Sequence, residues 1–133
     1  MARHVYDCHV RFSDVDVYGH VNNVKYFEYY QEARLAFLTT LGRSLRSADL
    51  GLVVARLDVD YKVPILFRAA PYTVTSWVSR VGTSSFGVGA EILDGDRLLS
   101  RAHAVLVAFD LATQRSRPLG DDERARLVNA LEE

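Results

Sequence analysis

The run Lys25-Tyr26-Phe27-Glu28-Tyr29-Tyr30-Gln31-Glu32-Ala33-Arg34-Leu35-Ala36-Phe37-Leu38 constrains the fold of this chain more than any other stretch. Tyr26, Tyr30, Ala33, Phe37 and Leu41 recur at intervals of three and four, and Phe27, Ala36 and Leu38 widen the apolar face. This spacing predicts a helix over about 25–41, with Gly42 as its stop. A helix apolar on more than half its circumference must be largely enclosed, so the rest of the chain is expected to wrap it. Asn22 or Asn23 is placed to cap its first turn, because a short amide side chain accepts from the free N–H groups there.

The other elements alternate with period two. Residues 4–13 read as a first strand, with Val5, Cys8, Val10 and Phe12 among polar neighbours. Arg43 to Gly51 reads as a polar connection with room for a helical turn around Leu45 and Leu50. Leu57, Val59, Tyr61 and Val63 alternate with Asp58, Asp60 and Lys62 up to Pro64, which ends or diverts that strand. Strands are expected again over 72–79, 85–93 and 98–111, the second carrying Gly87 and Gly89, which mark close approach by a backbone or a ligand. Asp94-Gly95-Asp96 signals a hairpin, and the last strand, apolar on both faces, belongs inside the sheet. After a polar exit over 112–120, Asp121-Asp122-Glu123 opens a short helix over about 121–132. Strand, helix, then four strands is an α+β order: one antiparallel sheet of about five strands curled around one long central helix, in a single domain spanning residues 1–133.

Charge removes several classes of function. Sixteen basic against seventeen acidic residues leave a net charge of −1, without the basic excess of a nucleic-acid binder. No apolar run approaches the roughly 20 residues that span a bilayer, and the start, Met1-Ala2-Arg3-His4-Val5-Tyr6-Asp7, has no signal-peptide core. Cys8 is alone, and no Cys/His spacing suggests zinc. The expectation is a cytoplasmic protein with no cofactor and no metal.

Ahead of the helix stands Asp14-Val15-Asp16-Val17-Tyr18-Gly19-His20-Val21-Asn22-Asn23. The free N–H groups of a helix start, with the positive end of the dipole behind them, suit a developing negative charge. A carboxylate a few residues upstream would face that start, a pairing that suits hydrolysis of an activated carbonyl. The plain alternative for Asp16 is a turn or capping aspartate. His20 reads either as a proton shuttle or as a structural histidine packing the loop. Asp14 reads as a solvated loop residue or one that orients the loop. A metal held by Asp14, Asp16 and His20 lacks a further ligand at a helpful spacing.

The string Asp16-Val17-Tyr18-Gly19-His20-Val21-Asn22-Asn23, followed by Tyr26, Tyr30, Glu32, Ala33 and Arg34, resembles the acyl-CoA thioesterases of the hotdog fold, in the 4-hydroxybenzoyl-CoA thioesterase-like branch. Length and element order agree with it from about residue 4 to about residue 118. The resemblance implies a cofactor-independent thioester hydrolase that works as a homodimer or homotetramer, with the ligand site between subunits. Asp16 falls on the catalytic carboxylate, general base or nucleophile, and Asn23 on the oxyanion donor, with His20 supporting. Tyr18, Asn22, Tyr26 and Tyr30 are the expected substrate contacts, some of them lining the space between helix and sheet, though Tyr26, Phe27, Tyr30 and Phe37 are first of all core residues. Lys62, Arg68 and Arg80, with the hydroxyls of Ser84 and Ser85, are candidates for the CoA end. Acyl-carrier-protein thioesters as substrates, and a non-catalytic acyl-CoA-binding module, are the competing readings.

Overall fold

The alternating stretches pair into one antiparallel sheet. A computed structural model describes residues 2–42 and 51–132, so the expected turn around Leu45 and Leu50 lies outside the described residues. In chain order the elements are β1 (His4–Cys8), α1 (Lys25–Thr40), β2 (Leu52–Tyr61), β3 (Tyr72–Val81), β4 (Ser85–Asp94), β5 (Arg97–Asp110), β6 (Arg115–Ser116) and α2 (Asp121–Asn129). The strands lie in the order β1-β3-β4-β5-β2, with β6 on β5. The long apolar strand β5 is inside the sheet, between β4 and β2, as its two apolar faces require. The two-residue β6 falls in the stretch expected to be a polar exit.

Helix α1 buries Tyr26, Tyr29, Tyr30, Ala33, Phe37 and Leu38. Its first half shares a core with Ile65, Val74, Ile92 and Leu99, and its second half shares another with Val78, Phe86, Val88, Leu106 and Leu127 of α2. The floor below Tyr30 is built from small residues, Ser76, Ala90, Ala102 and Ala104, which make room for that ring. Enclosure is narrower than the sequence predicts: Phe27 is 38 % and Leu35 54 % exposed, because the helix packs mainly on β1 and β3 and leaves its other side uncovered. Phe27 is therefore not a core residue of this chain. Gly42, at φ 130°, stops the helix in a conformation that side chains resist.

Three further differences have local causes. β1 ends at Cys8, not at residue 13, because Phe12–Asp14 wind into a 3₁₀ turn pinned by the Asp14 carboxylate. β2 begins earlier than the alternation suggests, since a bulge between Val54 and Arg56 shifts its register on β5. Helix α2 ends at Asn129; Glu123, buried, pairs with Arg117 at 2.8 Å and accepts from Gly120 N at its start. The glycines of β4 mark close approach, and the visitors are side chains: a Cβ on Gly89 would lie 2.4 Å from the Trp77 ring, and one on Gly87 3.1 Å from the His103 ring.

Candidate active site

The loop before α1 is tied down from three sides. Val15 and Val21 form an antiparallel bridge that closes the loop, His20 bridges to Leu66, and Val21 N donates to Ile65 O at 2.8 Å. Gly19 sits at φ 74°, the left-handed conformation that lets the chain reverse at the loop tip. Within this turn Asp16 Oδ1 accepts from the backbone N–H groups of Tyr18 (2.9 Å) and His20 (3.2 Å). Among the described residues nothing donates to Asp16 Oδ2, and the residue is exposed. The turn-forming and the available roles of this aspartate therefore coexist, one on each oxygen.

Asp14 behaves differently. It is fully buried, where a solvated residue was one of the two expectations, and the loop-orienting one holds. Its Oδ2 accepts from the Tyr29 hydroxyl at 2.6 Å and from Arg11 N at 3.1 Å, and its Oδ1 lies 3.0 Å from the Arg11 guanidinium. Burial raises the pKa of this carboxyl, but the Tyr29 hydrogen bond and Arg11 outweigh it, so the group lies below the ordinary carboxylate value. The Tyr29 phenol is pushed well above its usual range by burial and by that carboxylate. Asp14 O also accepts from Asn22 N at 2.8 Å, which joins the loop to the helix entry. Cys8, beneath, is raised to about 12 by burial and then by Asp14, so it is a thiol at neutral pH.

At the helix entry, Asn22 closes a turn just ahead of α1, its Oδ1 accepting from Val24 N at 3.0 Å and its carbonyl from Lys25 N at 2.9 Å; the cap position itself is Val24, so neither Asn22 nor Asn23 caps the helix with its side chain. Asn23 is left with an N–H that has no acceptor among the described residues, while its carbonyl accepts from the Tyr61 hydroxyl at 2.9 Å. Asp16, His20, Asn23, Tyr26, Tyr61 and Lys62 then share the wall of one cavity of about 320 Å³, with Val21, Val63 and Pro64. The Tyr26 and Tyr61 rings meet edge to face at 4.7 Å on its side.

The remaining candidates sit elsewhere. Tyr18 is 79 % exposed at the loop tip, its ring 6.2 Å from that of His20. Tyr30 is buried, and its hydroxyl donates to Ser100 Oγ at 2.6 Å, which donates to Asp60 O at 2.8 Å; it braces the core. Arg68 is stacked 3.7 Å from the Tyr72 ring and bound to Asp94, Ala70 O and Pro71 O. Arg80, Ser84 and Ser85 lie at the β3–β4 turn, where Arg80 donates to Ser85 Oγ at 3.2 Å. Ser85 pairs with Val107 of β5 while Tyr61 pairs with Ser100, so within one chain these groups stand roughly 20–25 Å along the sheet from the cavity.

Tyr61 and the Tyr29–Asp14 pair were missed by sequence reasoning. Tyr61 stands in an ordinary alternating strand, and Tyr29 falls between the positions that define the apolar stripe. Only a tyrosine about one turn into the helix that follows a carboxylate-bearing loop would have hinted at the second contact. A cleft of about 420 Å³ between β1 and α1, lined by Tyr6, Cys8, His9, Glu28 and Glu32 among others, holds none of the candidates. Among the described residues no three His, Cys, Asp or Glu groups gather as a metal site, and no helix is long and apolar enough to cross a membrane.

Comparison with known proteins bears on this loop and sheet together. The family model of the thioesterase-like superfamily matches residues 10–127. The long-chain acyl-CoA thioesterase FadM of Escherichia coli is 27 % identical over 123 residues, 89 % of this chain and 92 % of that one. The structure of the PA2801 protein of Pseudomonas aeruginosa is 36 % identical, covers 94 % of this chain and 98 % of its own, and superposes with a TM-score of 0.83. A Thermus thermophilus thioesterase, solved with coenzyme A and zinc, is 28 % identical over 95 % of this chain and 92 % of its own, also with a TM-score of 0.83. The chain therefore belongs to the thioesterase-like superfamily, and thioester hydrolysis is the activity that this membership assigns to it.

Proposed function

We propose that this chain is an acyl-CoA thioesterase in which Asp16 is the reacting carboxylate. One observation carries the reading: Asp16 has one oxygen fixed by two backbone N–H groups and the other without a donor among the described residues, on the wall of a cavity shared with the helix start at Asn23. Oδ2 takes a proton from water as the water oxygen bonds to the thioester carbonyl carbon. The carbonyl oxygen becomes an oxyanion facing the Asn23 N–H and the positive end of α1. Collapse breaks the C–S bond, and the CoA thiolate takes the proton that Asp16 accepted. Attack by Oδ2 itself uses the same oxygen: the C–S bond breaks as the anhydride forms, and water then opens the anhydride to the free acid and the Asp16 carboxylate, its remaining proton going to the departed CoA thiolate. His20 holds the loop through its backbone and offers its ring to the cavity; Tyr18, Tyr26 and Lys62 flank the substrate, and no cofactor is required.

The CoA end supports a homodimer. β2 is a ten-residue edge strand with one side unpaired among the described residues. A second copy pairing antiparallel on that edge would set its Leu52 end beside this chain's Tyr61 and Lys62. Leu52 lies next to Ala108, whose N–H is bound by Ser84 O, so the second copy's Arg80, Ser84 and Ser85 would stand at the same end as this chain's Asp16. The groups that one chain separates are in this way united by two.

Thiol release from aryl-, short- and long-chain acyl-CoA esters, followed with a thiol-reactive dye in wild type and Asp16→Asn, tests the reading. Release by wild type that falls at least about 10²-fold in a folded variant is the expected result. Full activity in Asp16→Asn would overturn the assignment of the carboxylate, and no release from any CoA ester would redirect the search to acyl-carrier-protein thioesters.

A further inference from the structure

Asp16 stands between two unlike cavities. The one described above is polar, with His20, Asn23, the Tyr61 hydroxyl and Lys62 on its wall. The other, about 560 Å³, is lined by Phe12, Val15, Val17, Gly19 and Phe67, with Asp16 as its single polar side chain. Phe12 is 81 %, Val17 93 % and Phe67 47 % exposed, and the two phenyl rings meet edge to face at 5.9 Å. So much apolar surface in one patch is unusual on a soluble chain and marks a place where something apolar binds. Beneath Tyr30 and Arg34 only about 10 Å³ is free, and the cleft of about 420 Å³ between β1 and α1 does not have Asp16 on its wall.

We propose that the acyl chain of the substrate lies in the Phe12–Val17–Phe67 trough while the coenzyme arm leaves through the polar cavity by Tyr61 and Lys62. This rests on the reading that Asp16 is the reacting carboxylate. A thioester has two unequal arms, a hydrocarbon on the carbonyl side and an amide- and phosphate-bearing arm on the sulfur side. Each is desolvated at least cost against surroundings of its own kind. With the carbonyl held at Asp16, only this orientation puts both arms in matching surroundings. The trough therefore selects linear or bulky apolar acyl groups over short polar ones, and the aromatic pair forms its wall.

The test measures binding of S-alkyl-CoA thioethers, which cannot be hydrolysed, with alkyl chains from two to sixteen carbons, an illustrative span of roughly the usual acyl lengths. Wild type is compared with Phe12→Ala/Phe67→Ala and with Phe27→Ala, an exposed phenylalanine of α1 outside the trough. Affinity in wild type is expected to rise by up to about fourfold per methylene, and the slope to fall below about twofold in the double variant but not in Phe27→Ala. Phe12→Leu/Phe67→Leu, which keeps an apolar wall, should restore much of the slope. An unchanged slope in the double variant, a slope flattened by Phe27→Ala, or absence of thioether binding would each overturn the proposal. So would a double variant that keeps the slope but sediments as a smaller species, since the trough would then be an interface between copies. Wild type that binds thioethers with the expected slope yet releases no thiol from the matching thioesters would refute acyl-CoA hydrolysis at Asp16 and leave the trough standing.

Discussion

Asp14 and Asp16 lie two residues apart, and the regions around them differ in every physical respect. The Asp14 side chain is fully enclosed, bonded to Tyr29 and Arg11, and its charge is held by the fold. Asp16 is exposed at the loop tip, fixed through one oxygen by backbone N–H groups alone. A carboxylate enclosed by the scaffold and held by a tyrosine hydroxyl and an arginine stabilises that scaffold. One positioned by main chain, with an oxygen to spare, can serve a substrate. The pair thus divides into a carboxylate that builds the loop and one that the loop presents.

Four substitutions would break or sharpen this contrast. Asp16→Asn is expected to lower kcat/KM by about 10²–10⁴-fold while leaving thermal stability within about 0.5 kcal/mol of wild type, as a surface change does. A large loss of Tm in this variant would erase the distinction. Asp14→Ala is expected to cost about 3–5 kcal/mol in a denaturant titration, because it leaves the Tyr29 hydroxyl buried without its acceptor.

The same variant gives a sign in pH. The folded pKa of Asp14 is depressed, so its ionic contribution is complete above the ordinary carboxylate value and is lost as pH falls through the folded one. The Tm gap between wild type and Asp14→Ala should therefore narrow below pH ~4. A gap that widened on acidification would contradict the arrangement.

Tyr29→Phe removes one charge-assisted hydrogen bond and should cost about 1.5–3 kcal/mol, with activity per folded molecule reduced less than in Asp16→Asn. Gly19→Ala has open space for its Cβ but a φ of 74°, so about 1 kcal/mol of backbone strain is the expected cost. Its effect should appear in kcat/KM, through a displaced Asp16, more clearly than in Tm.

Much of the architecture is legible in residue order. Periodicities of 3.6 and 2 locate α1, the four long strands and the interior place of β5, since they report which faces are apolar. The Asp-to-Asn string before the helix points to the loop, but Asn22 uses its amide oxygen in the turn ahead of the helix and the cap position falls on Val24. The partition of the site was not legible. Nothing in the string says that Asp14 is enclosed and Asp16 presented, or that Tyr61, thirty-eight residues from Asn23, donates to its carbonyl. The CoA candidates show the same gap: Lys62 reaches the cavity, whereas Arg68 is committed to Asp94 and Tyr72 and Arg80 stands at the other end of the sheet.

The sequence by itself determined the elements of this protein and the chemistry available to its loop, because both depend on neighbours along the chain. Tertiary structure alone decided which carboxylate is enclosed and which is exposed, which tyrosine braces the core and which cavities flank Asp16. These depend on burial and on contacts between residues far apart in sequence, which exist only once the helix has packed on the sheet and the loop has docked on Ile65 and Leu66.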